Sequence, residues 1–400
     1  MRVFLSHRYF WPDRAPEAAI LRWVARHLVM HGCSVDVLSS QPSYHGASDI
    51  DRRPTREMVD GIHVTRLRLP PESSGKFWRV SNALYLGLYT IFKTLFSSYD
   101  VVIVSTVPPI FGAFCSAISA RLTNAHLIYY CMDLHPELGR LSGDFKNPIL
   151  YRLLAWMDDW SCRQATAVLV HSEDMINTLR QRKRGNEYKI GVLNNFTPPT
   201  DFGVEASINF EYDVSRNRLN LIYAGNIGRF QGLETLIEAM GILGVDSNIE
   251  LVLLGEGVIK NKLIQRVKSL NANVRFIDYQ PPFVAKQLIR RADLGLVMLS
   301  PEVYKYAYPS KTMAYLEQGV PIIALVECDS ELVKVMLADG YGFNLENRNA
   351  AELAVFLLKL AEDCSWKTPM RMAAIAAFNN RFSANVVLDK WLKIVRLGGL

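Results

Sequence analysis

The chain has 400 residues, of which 50% are hydrophobic, 10% aromatic and 21% charged. This is the composition of a globular protein, and it excludes a disordered or collagen-like chain. The formal net charge of +6 lies entirely in residues 1–200, which carry 23 basic and 17 acidic side chains, whereas residues 201–400 carry 22 of each. The six cysteines are scattered and form no C-x-x-C pair, so neither a disulfide framework nor a thiolate zinc site is predicted. We therefore expect the protein in a reducing compartment.

Short β-branched runs alternate with helical stretches along the first half, which is typical of βαβ units around a parallel sheet. The uncharged stretch 101–120 is long enough to suggest a membrane span, but Pro108-Pro109 interrupts it, so we predict a strand followed by a helix. The predicted strands are 2–6, 34–39, 62–67, 101–105, 126–131, 167–170 and 189–193. The predicted helices are 17–30, 79–96, 109–122, 147–163 and 172–183.

A polar segment, residues 194–218, is predicted to be the linker between two domains. After it the pattern restarts with predicted strands at 219–224, 249–254, 274–277, 294–299 and 321–325, each followed by a helical run. We therefore predict an α/β protein with two Rossmann-like doubly wound domains, residues 1–200 and 201–400, facing each other across a cleft where ligands bind at the carboxyl ends of strands. The last helix, about 380–400, is expected either on the second domain or packed back on the first.

The strongest local motif follows the first strand of the second half, where Gly225-Asn226-Ile227-Gly228-Arg229 runs on to Gln231-Gly232. Glycines let the backbone approach a phosphate, helix N–H groups point at it, and Arg229 adds a permanent charge. The spacing is not that of the dinucleotide fingerprint. The motif predicts a phosphate site, and an ordinary turn between a strand and a helix is the alternative.

A second motif, Tyr308-Pro309-Ser310-Lys311-Thr312, precedes a helix predicted at 313–318. Pro309 and Ser310 as N-cap suit a helix start, whereas Lys311 has the wrong charge for the positive end of the helix dipole. A cation in this place indicates a bound anion, the alternative being a solvated lysine. Gly255-Glu256-Gly257, another glycine turn at a strand end, is a weaker candidate.

Three ionisable residues, Asp133, His135 and Glu137, directly follow the strand predicted at 126–131. That position is where this architecture binds ligands, and a solvated loop is the alternative. Asp49-Ile50-Asp51 has the D-x-D form of a metal motif but lies in a polar loop beside arginines, so we predict no metal site there. Asp158-Asp159 is predicted to face solvent from a helix.

Residues 76–96 are rich in aromatic side chains with cationic flanks, a composition that suits a helix lying in a membrane interface. A helix that faces the core is the alternative. Residues 180–184 add four cations within five positions, and each is worth about 1 kcal/mol near an anionic leaflet. No nucleic-acid recognition motif is visible. We therefore predict docking to an anionic membrane surface and no nucleic-acid partner.

Taken together, the motifs resemble the family 4 retaining glycosyltransferases of the GT-B fold, and most closely the colanic-acid and O-antigen type that transfers fucose or N-acetylfucosamine. The resemblance covers nearly the whole chain in order. The second-half motifs that carry it are Gly225-Asn226-Ile227-Gly228 with Gln231-Gly232, Pro309-Ser310-Lys311, and Gly319-Val320-Pro321. The first-half motifs are Tyr9-Phe10-Trp11-Pro12, Val107-Pro108-Pro109, Asp133-Leu134 with Pro136-Glu137, and Leu193-Asn194-Asn195.

The resemblance implies a hexosyltransferase, without cofactor or metal, that moves a sugar with retention from an NDP-sugar (UDP favoured over GDP) to a lipid-linked saccharide. It implies a role in lipopolysaccharide or exopolysaccharide synthesis and a cytoplasmic enzyme bound peripherally to the inner face of the membrane. The donor would bind the second domain and the acceptor the first. The implied catalytic residues are Arg229 and Lys311, which would hold the leaving diphosphate, and Asp133. The implied donor-binding residues are Gly225, Asn226, Gly228, Glu256, Ser310 and Glu317, with Glu137 and His135 on the acceptor side.

The sequence departs from the family at a Glu-x7-Glu pair that many relatives carry, since Tyr306 and Ala314 take those positions here. Glu317, one helical turn beyond Ala314 on roughly the same face, is the candidate replacement for its hydrogen bonds to ribose. The departure leaves two alternatives open. One is a catalytically silent nucleotide-sugar-binding subunit that partners an active transferase, and the other is a GT-B sugar-nucleotide epimerase.

Overall fold

The structure is a computed structural model and describes residues 1–43, 52–70, 75–199, 218–229, 231–346 and 349–400. The chain divides into two compact units. Unit 1 comprises Met1–Pro198, Lys305–Tyr308 and Ala384–Leu400, and unit 2 comprises Pro199–Tyr304 and Pro309–Ser383. The D-x-D sequence at 49–51 and most of the predicted linker lie outside the described residues.

Unit 1 contains an eight-stranded sheet whose residues alternate between two hydrophobic cores. Its strands are β1 (Arg2–Ser6), β2 (Ser34–Ser40), β3 (Arg56–Val59), β4 (Ile62–Leu67), β5 (Val101–Ser105), β6 (His126–Tyr130), β7 (Ala167–Val170) and β8 (Ile190–Val192). They are ordered β3-β4-β2-β1-β5-β6-β7-β8, and all neighbours pair in parallel except β3, which is antiparallel to β4. Val3 and Leu5 belong to one core and Phe4 to the other, as expected for a sheet covered on both faces.

Helices connect the parallel strands of unit 1, except that strand β3 lies between β2 and β4. The helices are α1 (Pro16–Met30), α2 (Lys76–Leu95), α3 (Phe111–Thr123), α4 (Glu137–Leu141), α5 (Pro148–Gln164) and α6 (Glu173–Arg180). Helix α3 packs against both α2 and α5. The uncharged stretch 101–120 forms β5 and most of α3, and no helix within the described ranges is long and apolar enough to cross a membrane.

Unit 2 contains a six-stranded sheet in the order β11-β10-β9-β12-β13-β14, in which every pair is parallel. Its strands are β9 (Leu219–Ala224), β10 (Ile249–Leu254), β11 (Val274–Ile277), β12 (Leu294–Met298), β13 (Ile322–Leu325) and β14 (Gly342–Asn344). Its helices are α7 (Leu233–Leu243), α8 (Lys260–Leu270), α9 (Pro282–Arg291), α10 (Lys311–Glu317), α11 (Glu331–Asp339), α12 (Ala350–Glu362) and α13 (Lys367–Ala377).

The C-terminal helix, α14 (Ala384–Leu397), belongs to unit 1 and packs against α1. Its Trp391 is 1% exposed and lies edge-on to Tyr130 of β6, with the ring centroids 5.0 Å apart. Burial of so large a side chain fixes this helix on the sheet of unit 1.

The predicted fold class, α/β with two parallel doubly wound sheets, is confirmed. Within the described ranges, five strands and helices were not predicted: β3, α4, β14, α12 and α13. Strand β3 (Arg-Glu-Met-Val) has no continuous apolar run because it is the edge strand of its sheet, and β14 has only three residues. Both lie at sheet edges, where burial imposes the weakest sequence pattern.

Candidate functional site

Two glycine turns pack together at the carboxyl ends of β9 and β10 in unit 2. The Gly225 N–H donates to the Leu254 carbonyl (2.9 Å), and the Ile227 N–H donates to the Glu256 carbonyl (2.8 Å). A Cβ on Gly255, whose φ is +141°, would lie 2.1 Å from the Gly225 carbonyl oxygen. Only glycine at position 255 permits this backbone approach. Gly225 itself has no side chain, so its turn is bare on the side where a ligand meets the strand end.

Lys311 lies against this bare turn. Its Nζ is 4.7 Å from the ring centroid of Tyr223, and a Cβ on Gly225 would lie 3.6 Å from the Lys311 Cε. The side chain has no carboxylate partner among the described residues. Desolvation by burial lowers the pKa of Lys311 to about 8. The turn therefore carries a desolvated ammonium group whose charge no carboxylate of the described chain offsets.

Tyr315, one turn along α10 from Lys311, ties this helix to the strand end. Its hydroxyl accepts a hydrogen bond from the Ala224 N–H (2.8 Å) and lies 3.4 Å from the Leu296 carbonyl, to which it donates. Helix α10 begins at Lys311, two residues before the start predicted at 313, with Ser310 at the predicted N-cap position. The expectation that the Ser310 side chain caps the helix is wrong, because it makes no capping hydrogen bond and its backbone is already in the right-handed helical region.

The same motif contains two further predicted donor-binding residues, Asn226 and Gly228, and the predicted catalytic residue Arg229. Asn226 and Arg229 are exposed, and the Asn226 carbonyl accepts a hydrogen bond from the Tyr223 hydroxyl (2.8 Å). Gly228 is buried, and a Cβ there would lie 2.9 Å from the Gln231 Oε1. Arg229 is thus on the exposed side of the motif, where its guanidinium is accessible to an anionic ligand.

Glu256 and Glu317 are each held by a lysine. Glu256 Oε1 accepts from Lys260 Nζ (2.8 Å), which also bonds to the Gly255 carbonyl (3.0 Å). Glu317 Oε1 accepts from Lys286 Nζ (2.8 Å), while its Oε2 is buried without a hydrogen-bond partner in the described part of the chain. Glu317 Oε2 can therefore still accept a hydrogen bond.

Sequence reasoning missed four residues that organise this site, namely Tyr223, Tyr315, Lys260 and Lys286. A signal for Tyr315 is helical spacing, since it is four positions after Lys311 on α10. Lys260 opens the helix that follows the Glu256 turn, so its pairing with Glu256 is local in sequence. Tyr223 and Lys286 contact the site through tertiary packing, which no local pattern indicates.

In unit 1, Asp133 lies just beyond the end of β6 and is half-buried. Burial, together with the nearby Glu17 carboxylate of α1, raises the pKa of Asp133 to about 7. The backbone there pairs with the segment Lys305–Tyr308: Asp133 and Ala307 form an antiparallel bridge, and the Leu134 N–H donates to the Tyr306 carbonyl (2.8 Å). Glu17, in the first turn of α1, was not singled out by the sequence.

Of the three predicted residues Asp133, His135 and Glu137, the Glu137 side chain forms an ion pair within unit 1. Its carboxylate accepts two hydrogen bonds from Arg182, at 2.8 and 2.9 Å. His135 is half-buried, desolvation lowers its pKa to about 4, and its Nδ1 has no hydrogen-bond partner among the described residues. A neutral His135 fits a lining residue.

Asp158 also corrects a prediction, since it is 2% exposed instead of facing solvent. It accepts from Arg182 (2.6 Å) and from the Tyr129 hydroxyl (2.7 Å), and burial raises its pKa. Arg182, one of four cations predicted as a membrane-facing run, is consequently held inside unit 1 between Asp158 and Glu137. Arg180, Lys183 and Arg184 remain exposed.

Family models cover both halves of the chain. The glycosyl transferase 4-like domain matches residues 18–195, and the glycosyl transferases group 1 domain matches residues 206–377. The second match contains the glycine turns and Lys311, and the first contains Asp133. The chain belongs to the GT-B glycosyltransferases.

Similar proteins agree with this assignment. WcaI of Escherichia coli K12, whose name places it among colanic acid biosynthesis glycosyl transferases, is 26% identical over 240 residues, and the match spans 58% of each chain. The solved structure of WaaG, a glycosyltransferase involved in lipopolysaccharide biosynthesis, has a TM-score of 0.69 at 14% identity over 99% of both chains. Anabaena HepE, solved with UDP, has a TM-score of 0.66 at 14% identity and covers 99% of this chain and 100% of its own. The two structures show the shared fold.

Proposed function

We propose that this GT-B family member is a retaining glycosyltransferase that binds an NDP-sugar on unit 2, with UDP favoured over GDP. The observation that carries the proposal is Lys311, a desolvated ammonium group beside the bare Gly225 turn. Burying a cation without a carboxylate is unfavourable unless an anion arrives to pair with it. The diphosphate of a nucleotide-sugar is such an anion, and Anabaena HepE, which shares the fold, has been solved with UDP.

In the proposed reaction, negative charge develops on the diphosphate as its bond to the sugar breaks. Lys311 donates hydrogen bonds to the phosphate oxygens, and exposed Arg229 adds a second cation. Backbone N–H groups at the start of α7 favour the same charge. The departing phosphate accepts the proton of the acceptor hydroxyl, so the reaction proceeds with retention and without a metal ion.

The proposed acceptor is a lipid-linked saccharide of a surface polysaccharide, bound on unit 1. Asp133 lies at the carboxyl end of a parallel strand, where open α/β sheets bind ligands. Its carboxylate would accept hydrogen bonds from sugar hydroxyl groups, with half-buried His135 lining the same region. The Glu137 side chain is held by Arg182 and is assigned a structural role.

Asp133→Asn is expected to lower transfer 10- to 100-fold, because it replaces a charge-assisted hydrogen bond worth about 1.5–3 kcal/mol. Nucleotide affinity should stay within twofold of wild type, since the nucleotide binds unit 2. Titration calorimetry with UDP and a transfer assay measure the two quantities. A parallel fall in UDP affinity would contradict the assignment of Asp133 to the acceptor.

The same variant has a stability signature. Because the pKa of folded Asp133 is raised to about 7, protonation favours the native state, and this contribution is lost as pH rises from about 4 through 7. Asp133→Asn should therefore be more stable than wild type at pH 8 and nearly equal to it at pH 4.5. Chemical denaturation at the two pH values tests this. An equal difference in the free energy of unfolding between variant and wild type at both pH values would contradict a raised pKa of Asp133.

Peripheral membrane association is proposed for unit 1, with α2 as its docking surface. The side chains on the outer face of α2 are apolar and exposed, spaced three and four residues apart as an amphipathic interfacial helix requires. A lipid-linked acceptor would be presented at such a surface. The exposed residues are Phe77, Trp78, Val80, Leu84, Tyr85, Leu88, Phe92 and Leu95.

The donor assignment is tested by thermal unfolding in a panel of UDP- and GDP-sugars with free UDP and GDP. Binding at 100 times the dissociation constant stabilises the native state by about 2.7 kcal/mol, which is easily seen as a rise in Tm. We expect UDP compounds to raise Tm in the wild type. No shift with any nucleotide would contradict the proposal.

A silent nucleotide-sugar-binding subunit is the second candidate function. Tyr306 and Ala314 occupy the two positions where many relatives carry glutamates, and the Tyr306 backbone is committed to the Asp133 region of unit 1. A subunit of this kind would show the same nucleotide-dependent Tm shifts without turnover of any NDP-sugar in the panel.

A further inference from the structure

Unit 1 contains a second concave site, separate from Asp133, between α5 and the segment that follows α6. The cavity has a volume of about 600 Å³. Helix α5 contributes residues spaced as one helical face, and Arg182, Lys183 and Arg184 form the opposite wall. The α5 residues are Tyr151, Arg152, Ala155, Trp156, Asp159 and Arg163, and Glu137 completes the lining.

The charges of this cavity are only partly compensated. Five cations and two carboxylates line it, a net charge of +3. Arg182 is neutralised by Glu137 and Asp158, and Arg163 pairs with Asp159 (3.1 Å). Arg152, Lys183 and Arg184 are exposed, and their side chains have no hydrogen-bond or ion-pair partner among the described residues. Three cations without a partner therefore line this cavity, and their N–H groups can donate hydrogen bonds to a phosphate group.

An apolar surface borders the cavity. Ile149, Leu153 and Trp156 lie at positions i, i+4 and i+7 of α5 and are 76%, 52% and 54% exposed. Trp156 also lines the cavity, so the apolar face and the cationic wall share this side chain. Its ring contacts Phe114 of α3 (centroids 5.8 Å), and α3 packs in turn against α2. Helix α3 therefore connects α5 with α2, whose outer face carries the proposed membrane-docking surface.

The geometry points to a binding site for the phosphate of an anionic phospholipid headgroup in this cavity. Arg152, Lys183 and Arg184 hold the phosphate oxygens, and Ile149, Leu153 and Trp156 enter the acyl boundary beside it. Tryptophan is the side chain suited to that boundary, since its ring is amphipathic. Basic cavities beside apolar helices select phosphate headgroups in this way. The inference rests on the proposed membrane association but not on the sugar-transfer reaction.

The test is vesicle co-sedimentation of the full chain with phosphatidylcholine alone and with 30% phosphatidylglycerol. Since each basic residue contributes about a fivefold factor in partitioning, Arg152→Gln/Lys183→Gln/Arg184→Gln should weaken binding to the anionic vesicles about 100-fold. The matched control, Lys268→Gln/Arg290→Gln/Lys334→Gln, removes the same charge from exposed positions of unit 2 and should weaken it less than fivefold. All six side chains are exposed, and circular dichroism verifies folding.

Two further arms separate the sources of phosphate and the depth of insertion. Inorganic phosphate at 10 mM should not displace the wild type from anionic vesicles. Lipids with brominated acyl chains should quench the tryptophan fluorescence of the wild type more than that of Trp156→Phe. Equal losses in the two triple variants, displacement by inorganic phosphate, or equal quenching would overturn the headgroup site. UDP-dependent Tm shifts of the wild type and of the Arg152/Lys183/Arg184 variant report on the transferase proposal independently, because these three residues lie outside unit 2.

Discussion

Lys311→Ala is expected to lower sugar transfer 100- to 1000-fold with little change in Tm. Removing one preorganised donor from a developing charge costs about 2.7–4 kcal/mol of transition-state stabilisation. The fold should tolerate the change because, among the described residues, the Lys311 ammonium makes a cation–π contact with Tyr223 and no hydrogen bond or ion pair. Initial rates with saturating NDP-sugar, combined with a thermal unfolding curve, measure both effects. Wild-type turnover in Lys311→Ala would contradict a role of Lys311 in the reaction.

Lys311→Arg is the matched control, because it keeps a cation that stays charged at all working pH values. The pKa of Lys311 is about 8 in the free protein, so its charged fraction falls as pH rises above that value. UDP affinity of the wild type should therefore fall between pH 7 and pH 9.5, whereas that of Lys311→Arg should stay nearly constant. The same decline in both proteins would assign the pH dependence to another group.

Arg182→Met is expected to destabilise the protein by about 3–5 kcal/mol, because it leaves the buried Asp158 carboxylate and the half-buried Glu137 carboxylate without their cation. Without Arg182, the already raised pKa of Asp158 rises further, and protonation then relieves the buried charge. The contribution of a raised carboxyl pKa is lost as pH increases, so the destabilisation should be larger at pH 7 than at pH 4.5. Urea unfolding at both pH values measures it.

Arg163→Met is the control for this prediction. Arg163 pairs with Asp159 one helical turn away on α5, and both side chains retain partial contact with solvent. Helical ion pairs of this kind contribute about 0.3–0.5 kcal/mol, so the control should lose less than 1 kcal/mol. Equal losses in Arg163→Met and Arg182→Met would contradict the description of Arg182 as the buried cation.

The sheet strands could be predicted because parallel strands covered on both faces leave continuous apolar runs in the sequence. Strand β5, Val101–Ser105, is buried at every position, and its predicted bounds match those observed. The same argument located the Gly225 turn, since glycines directly after such a run allow the tight turn that ends a strand. Edge strands such as β3 are half solvated and carry no run of this kind.

The side-chain partners in the sites could not be predicted, because they depend on distant segments. Glu317 and Lys286 are 31 positions apart, and Arg182 and Glu137 are 45 apart. Asp158 shows why local patterns mislead: two adjacent aspartates on a helix suggest solvent, yet Tyr129 and Arg182 enclose Asp158 in the fold. Lys311 was identified because its charge conflicts with the helix dipole, a conflict visible in the sequence itself.

The most direct test of the proposed function is time-resolved NMR of NDP-sugar turnover with water as the acceptor. A retaining transferase releases free sugar first in the anomeric configuration that it had in the donor, before mutarotation mixes the anomers. We expect the wild type to release the retained anomer from a UDP-sugar, and Lys311→Ala to release it 100- to 1000-fold more slowly. Initial release of the inverted anomer, or equal rates in the two proteins, would contradict a retaining reaction at the Gly225–Lys311 site.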